Sequence, residues 1–471
     1  MKIAMIASEA LPFVKVGGLA DVVYSLSDSL VKKNLDVLVV LPFYSSIRKK
    51  IENPKNLQQV YNFQVIMSWR HLDCQVYSYT YHGIKYYFLK NDYYFERDEI
   101  YGYQDDFERF AFFALASFKL VNQYLKDIDI IHLHDWQSSP LALLNHHYHL
   151  SNHKYVLTIH NPCFQGICQR KDLFEYFNLP ESYFDDGLCR LDDNVNMLKS
   201  AIMLCDKITT VSPNHRHELL NGIFSYGLEK ILPYREKDFI GIINGIDYSE
   251  FDSKNDEYIF KAYNIKNFKS CRKENKIKFF YEIGLDNPNW PTFSIVSRLT
   301  KQKGMDLVVK NIETILNEKL NIIVLGKGEK KFEEKLLELS KKFSNLKVLI
   351  TYSDSLAHKI YASSDFLLMV SLFEPCGISQ MIAMKYGCIP IGSKKGGLVD
   401  TIIPLTNDNF DEATGFLIDL SDQNFINVIK EAINIYTNSK IIAIIRNGMK
   451  KDFSWASSSE KYIECYKKLI K

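Results

Sequence analysis

Six short stretches carry residue types that could do chemistry, and each follows or precedes an apolar run. Lys15-Val16-Gly17-Gly18 puts a lysine beside two glycines ahead of a periodic segment. Paired glycines at a helix start let backbone N–H groups approach a phosphate, and the helix dipole adds partial positive charge. A plain glycine turn with an exposed lysine accounts for the same residues equally well. Arg298 and Lys303, in Ser297-Arg-Leu-Thr-Lys-Gln-Lys-Gly304, leave a strand tip and precede a helix. A guanidinium, an ammonium and a helix N-terminus together suit a diphosphate. A solvated basic loop is the alternative, and the mirrored placement of Lys15-x-Gly-Gly in the other half of the chain favours the clamp.

Polar side chains at strand tips can hydrogen-bond a polyol. His132-Leu-His-Asp-Trp136 and His160-Asn161, with Gln165-Gly166 just beyond, fit that description. His132 and His134 at i, i+2 resemble a metal pair, but no third ligand stands at a suitable spacing. His132 reads as a core histidine, whereas Asp135 and His160 read as functional. Glu374 in Glu-Pro-Cys-Gly377 offers a carboxylate for sugar hydroxyls or for a cationic sugar transition state, ahead of a helix with Ser379 and Gln380. Cys376 reads as a small packing residue, because no basic neighbour in sequence would lower its pKa. Gly396-Gly397 is a second glycine pair before a helix. Tyr352, just after a strand, could stack on a base, although most such tyrosines simply pack.

The elements that position these residues follow from periodicity. Short runs of Ile, Val and Leu alternate with longer amphipathic stretches, the βαβ signature of a parallel sheet covered on both faces. Strands are expected at 2–7, 36–41, 128–134, 154–160, 207–211 and 239–244, with a helix over 20–33 whose Val22, Leu26 and Leu30 recur every four residues. Ser139-Pro140 and Ser212-Pro213 read as helix starts, Ser as cap and Pro first. The rhythm breaks over 251–291 and resumes with strands at 292–297, 321–325, 346–351, 365–371 and 388–391. The expectation is two doubly wound α/β domains, with ligands outside the carboxyl ends of the strands and in the cleft between the domains.

The composition agrees. At roughly 100–200 residues per domain, 471 residues allow two to four domains. The 58 Lys+Arg and 56 Asp+Glu leave a net charge of +2. A nucleic-acid binder usually carries a basic excess, so a neutral or small-molecule substrate fits better. No apolar run approaches the roughly 20 residues of a membrane-spanning helix. Glu9 and Pro12 interrupt the N-terminal apolar stretch, so it reads as a strand rather than a signal peptide. Nine scattered cysteines without a Cys-x-x-Cys pair suggest the reducing cytoplasm.

Taken together, the motifs resemble those of bacterial glycogen synthases and plant starch synthases. The resemblance is carried by Ser8-Glu9-Ala-Leu-Pro-Phe-Val-Lys15-Val-Gly-Gly-Leu-Ala-Asp-Val22, His132-Leu-His-Asp-Trp136 and Thr158-Ile-His-Asn161. It continues through Val296-Ser-Arg-Leu-Thr300 with Gln302-Lys-Gly304, Phe373-Glu-Pro-Cys-Gly377, Gly396-Gly-Leu398 with Asp400-Thr401, and Asp452-Phe-Ser-Trp455. The motifs occur in the family's order over nearly the whole chain. The resemblance implies a GT-B fold: Rossmann-like domains over 1–245 (acceptor side) and 246–450 (donor side), with 451–471 a helix crossing back to the first domain. It implies transfer of glucose from ADP-glucose to the 4-hydroxyl at the non-reducing end of an α-1,4-glucan, with retention, no metal, no nucleic-acid partner and no membrane.

Roles follow by resemblance. Lys15 and the amides of Gly17 and Gly18 would contact the donor, and Arg298 and Lys303 would hold its diphosphate. Asp135, His160 and Asn161 would position glucose. Glu374 and the amides near Gly377 would hold glucose hydroxyls from the other side, with Cys376, Gly396 and Gly397 also near the donor. Asn244 would line the cleft near the hinge, and Tyr352 would stack on adenine. Retention would proceed by same-face attack, the leaving phosphate deprotonating the acceptor. Some positions depart from the family pattern: Phe164 replaces a tyrosine, Gln137 a histidine, and Phe251-Asp252 a Trp-x-Pro pattern. Ile382 stands eight residues after Glu374, where many other GT-B enzymes carry a second glutamate, as glycogen synthases commonly do not.

Overall fold

The computed structural model describes residues 1–150 and 152–470. The chain forms two units: Met1–Gly245 with the last helix, and Ile246–Ser454. The second unit therefore runs on past residue 450, the end expected for it.

In the first unit, β1 (Lys2–Ile6), β2 (Asp36–Pro42), β3 (Gln58–Met67), β4 (Arg70–Tyr81), β5 (Ile84–Lys90), β6 (Ile130–His134) and β7 (Lys154–Ile159) belong to one sheet. Three short strands, β8 (Ile167–Cys168), β9 (Arg190–Leu191) and β10 (Asn194–Asn196), form a separate small sheet, and β11 (Lys207–Thr210) and β12 (Phe239–Gly241) complete the large one. Its order is β12-β11-β7-β6-β1-β2-β5-β4-β3. The pairings are parallel from β12 to β5, and β4 and β3 then add an antiparallel extension. The parallel strands are buried along their length, as strands covered on both faces must be. The extension departs from the purely parallel expectation. Its signal is period-two alternation, with Phe63, Val65 and Met67 buried between exposed neighbours.

The second unit has β13 (Thr292–Val296), β14 (Asn321–Leu325), β15 (Leu346–Leu349), β16 (Phe366–Met369), β17 (Ile389–Ser393) and β18 (Phe416–Ile418). The order is β15-β14-β13-β16-β17-β18, all parallel. The strand order reverses at β13, the topological switch point of an open α/β sheet. The stretch 251–291, which breaks the apolar rhythm, contains the helix Phe268–Ile283. Its buried face includes Arg272, Asn275 and Lys276 among Phe268, Cys271, Phe279, Phe280 and Ile283, so its apolar stripe is interrupted by polar residues. Arg272 is buried because its guanidinium donates to the carbonyls of Tyr361, Ser364 and Tyr386. Phe251, at the position of the departing Trp-x-Pro pattern, stacks on His358 with ring centroids 4.7 Å apart.

Among the described residues no helix is long and apolar enough to cross a membrane. All nine cysteines are free thiols. Ser212 caps its helix by accepting the His215 N–H, with Pro213 next, as expected. Ser139 does not cap: its hydroxyl donates to the Asp135 carbonyl at 3.0 Å, because Ser139 already has helical backbone angles.

The last helix, Trp455–Leu469, packs on the helix Gly18–Lys32, where the Ser29 and Ser459 hydroxyls meet at 2.8 Å. It also reaches the sheet. Tyr466 Oη lies 2.7 Å from His132 Nδ1, His132 Nε2 lies 2.6 Å from Thr158 Oγ1, and Thr158 Oγ1 lies 2.5 Å from Thr209 Oγ1. His132 is thus the satisfied core histidine expected. Burial pushes its pKa down to about 3, so the ring is neutral. Tyr466→Phe should strand one ring nitrogen in the core and cost about 1–3 kcal/mol. Urea unfolding of the full chain followed by circular dichroism should show the lowered midpoint.

Candidate active site

In each unit the candidate residues gather beyond the carboxyl ends of the strands. In the first, the loop after β1 leads to the helix Gly18–Lys32, with Gly17 as its N-cap. A Cβ at Gly17 or Gly18 would meet nothing within 4 Å, so the space over this turn is open. Lys15 Nζ pairs with Asp21 at 2.8 Å. The amides of Val16 and Gly17 point at the Glu9 carboxylate, 2.5 and 3.1 Å from Oε2. Glu9 is buried, and its other oxygen accepts from Tyr101 Oη at 2.6 Å. An internal anion therefore engages the Gly17 amide that was expected to meet the donor. Glu9 was visible in sequence only as part of a longer motif, and Tyr101, far along the chain, gave no signal.

Asp135 follows β6 in the left-handed region, at φ 57°. Asp and Asn tolerate that region better than most residues. Its Oδ1 accepts the amides of His160 and Asn161 at 2.7 and 3.4 Å, clipping the tip of β6 to that of β7. Burial pushes the carboxyl up to about 7, the two amides opposing, and the charge of Glu9 adds to the rise. His134 Nδ1 stands 3.0 Å from His160 Nε2, so one nitrogen donates and the other accepts. Burial holds both rings well below the usual histidine range, and both are neutral near pH 7. His134 is thus a tautomer-setting partner of His160, and among the described residues no group of three His, Cys, Asp or Glu is placed to hold a metal ion. Asn244, beyond β12, is buried, and its Oδ1 has no hydrogen-bond partner. Gln137 is buried and Phe164 is 59% exposed.

In the second unit Lys303 Nζ meets Glu374 Oε2 at 2.6 Å, and the Ser371 hydroxyl donates to the same oxygen at 2.8 Å. Glu374 is buried, so Lys303 is its counter-ion. Sequence reasoning assigned these two residues separate tasks and overlooked Ser371. Gly304 lies at φ 77°, and a Cβ there would stand 2.0 Å from the Val370 carbonyl oxygen. Gly396 and Gly397 press on the same loop: their Cβ atoms would fall 2.0 Å from Glu374 O and 2.2 Å from Cys376 O. The Gly397 amide already donates to the Glu374 carbonyl at 3.1 Å. These glycines thus serve close backbone packing. Gln380 Nε2 donates to the carbonyls of Cys376 and Gly377, which fixes the turn. Cys376 is buried, as its packing role requires. Arg298 is exposed and forms no ion pair among the described residues, and Tyr352 is 75% exposed. Ile382 is buried.

Residues 2–234 match the family model for the starch synthase catalytic domain, and residues 279–448 that for glycosyl transferases group 1. The chain is 40% identical over 479 residues to the glycogen synthase of Clostridium kluyveri, covering all of both chains. It belongs to the glycogen synthase family. The glycogen synthase of Lactobacillus acidophilus is 37% identical, again over the full length of both. The starch synthase IV catalytic domain of Arabidopsis thaliana, solved with ADP and acarbose bound, superposes with a TM-score of 0.88 at 30% identity, covering 99% of each chain. The sucrose-phosphate synthase of Thermosynechococcus elongatus shares the fold alone, with a TM-score of 0.63 at 15% identity over 99% of this chain and 98% of that one. The fold is GT-B, and this member of the glycogen synthase family is a glucosyltransferase.

The Asp135 carboxyl has a testable pH signature. Its folded pKa lies above the unfolded value of about 4, so the folded state holds the proton more tightly. Its contribution to stability is complete below pH 4 and is lost as pH rises through about 7. Asparagine never ionises and suits the left-handed backbone. Asp135→Asn should therefore gain stability relative to wild type on going from pH 4 to pH 8, while glucosyl transfer falls. Thermal unfolding at the two pH values, beside an activity assay, checks both parts.

Proposed function

We propose that the protein transfers glucose from ADP-glucose to the 4-hydroxyl at the non-reducing end of an α-1,4-glucan, releasing ADP and retaining the anomeric configuration. One observation carries the reading: the buried Glu374 carboxylate, held by Lys303 and Ser371, with the exposed Arg298 five residues before Lys303 in the same loop. The ADP and acarbose bound to the Arabidopsis starch synthase are a nucleoside diphosphate and a glucan-like inhibitor, the two classes this reading requires.

In this reading Arg298 and Lys303 bind the diphosphate, Lys15 and the Gly18 amide add a donor contact while Glu9 holds the Gly17 amide, and Tyr352 stacks on the base. As the bond between the anomeric carbon and the phosphate oxygen breaks, negative charge grows on the leaving ADP, and fixed cations stabilise it most in the transition state. Glu374 accepts from glucose hydroxyls, as do Asp135 and the neutral His160, with Asn161 and Asn244 as further polar contacts. Gly377 supplies an amide, while Cys376, Gly396 and Gly397 hold the loop that presents Glu374. The acceptor 4-hydroxyl attacks from the face the phosphate leaves and gives its proton to a phosphate oxygen. The new glycosidic bond forms, and ADP carries away the electrons of the broken one. No step is assigned to a metal or other cofactor. The nine free thiols support a reducing, cytoplasmic setting.

Incubation with glycogen and either ADP-glucose or UDP-glucose should release ADP well above background and UDP far more slowly. UDP release at the faster rate would overturn the donor assignment. Lys303→Ala should lower kcat by on the order of a hundredfold, and Glu374→Gln should do likewise. Because the two side chains share an ion pair, the double variant should lose much less than the product of the single losses. Multiplicative losses would show that the pair acts as two independent groups.

A further inference from the structure

The second unit has a cavity of about 400 Å³ that the proposed reaction does not use. Its position sets it apart from the candidate active-site residues. Asp365 immediately precedes β16, and Pro288 and Asn289 lead into β13, so the cavity opens at the amino ends of the strands. The loops with Arg298, Lys303 and Glu374 follow the carboxyl ends of that sheet. The size is within the range of small-molecule sites, roughly 300–1,000 Å³.

Its wall is charged in a lopsided way. Lys269, Arg272, Lys273 and Lys276, all on the helix Phe268–Ile283, line it against the single carboxylate of Asp365. In a chain whose net charge is only +2, this is a concentrated positive site. Arg272 and Lys276 are buried and already engaged: Arg272 holds three carbonyls, and Lys276 Nζ meets Asp365 Oδ2 at 2.6 Å and donates to Trp290 O at 2.7 Å. Lys269 and Lys273 are exposed, and among the described residues neither forms an ion pair. A second observation is independent of charge. Ser363 lines the cavity at 2% exposure, and its hydroxyl has no hydrogen-bond partner. A buried hydroxyl left unpaired is costly, and a ligand that accepts its proton removes the cost.

Part of the lining is apolar, with Ile441, Ile442 and Ile445 on one helix, and Tyr436 joins it to the cations through its ring, 5.5 Å from Lys276 Nζ. We propose that this cavity is a binding site for a small phosphorylated molecule. The phosphate oxygens accept from Lys269, Lys273 and the Ser363 hydroxyl, and the body of the ligand packs on the isoleucine wall. A phosphate offers three acceptor oxygens and close to two negative charges, matching the donors available and the surplus of cations.

The test is calorimetric titration of the full-length protein with inorganic phosphate and with phenyl phosphate, which adds a small apolar ring. Wild type and Lys303→Ala should bind both probes alike, since Lys303 lies at the other end of the sheet, and phenyl phosphate should bind more tightly. The double variant Lys269→Glu/Lys273→Glu should bind at least tenfold more weakly, with glucan elongation in phosphate-free buffer unchanged. Ser363→Ala should also weaken both probes. Failure of both probes to bind wild type, or equal binding by the double variant, overturns the site. Loss of binding in Lys303→Ala moves the phosphate to the other end of the sheet and overturns it too. Equal affinity for the two probes overturns the apolar half of the assignment.

Discussion

In the second unit everything at the carboxyl edge depends on main chain approaching main chain. Gly304 presses on Val370, and Gly396 and Gly397 press on Glu374 and Cys376, each leaving no room for a side chain. That closeness keeps the loop before the helix Met305–Leu316 beside the loop after β16, and so lets Lys303 reach Glu374. The ion pair is a result of the backbone packing rather than its cause. A buried carboxylate without a counter-ion would be costly, and the glycines ensure that the counter-ion is in place before any ligand arrives.

The first unit reaches a comparable order by a different route. Its strand tips are joined by side chains: Asp135 to the amides after β7, His134 to His160, and Glu9 to the amides of the glycine turn. Beneath them, Tyr466, His132, Thr158 and Thr209 form a polar column through the sheet. The histidines are neutral because they are buried, and a neutral imidazole can donate at one nitrogen and accept at the other. Neutrality is what allows adjacent rings to interlock without repulsion.

Much of this was legible in the sequence. Runs of Ile, Val and Leu identified most of the parallel strands, because a strand covered on both faces must be apolar along its length. The antiparallel extension after β2 was passed over because its alternation of Phe63, Val65 and Met67 is a weaker pattern. The helix carrying Arg272 and Lys276 has no clear sequence signal because those two residues and Asn275 interrupt its buried apolar positions Phe268, Cys271, Phe279, Phe280 and Ile283, and only distant carbonyls explain the buried guanidinium. At the site, residue types and positions at strand ends singled out Asp135, His160, Arg298, Lys303 and Glu374. The partners that set their behaviour, Tyr101 for Glu9 and Ser371 for Glu374, become visible only when the chain is folded. Gly396 and Gly397, expected near the donor, have a packing role that only their contacts in the fold reveal.

The last helix has a consequence for the order in which the protein can be made. The core of the first unit includes Trp455, Tyr462 and Tyr466, which are synthesised after the whole of the second unit. A growing chain can complete its second unit while the first still lacks a covering helix and the partner of His132. The N-terminal half, although translated first, is the last to close. A chain that stalls between residues 245 and 455 leaves the core of the first unit without Trp455, Tyr462 and Tyr466, and incompletely covered apolar core is what quality-control chaperones recognise.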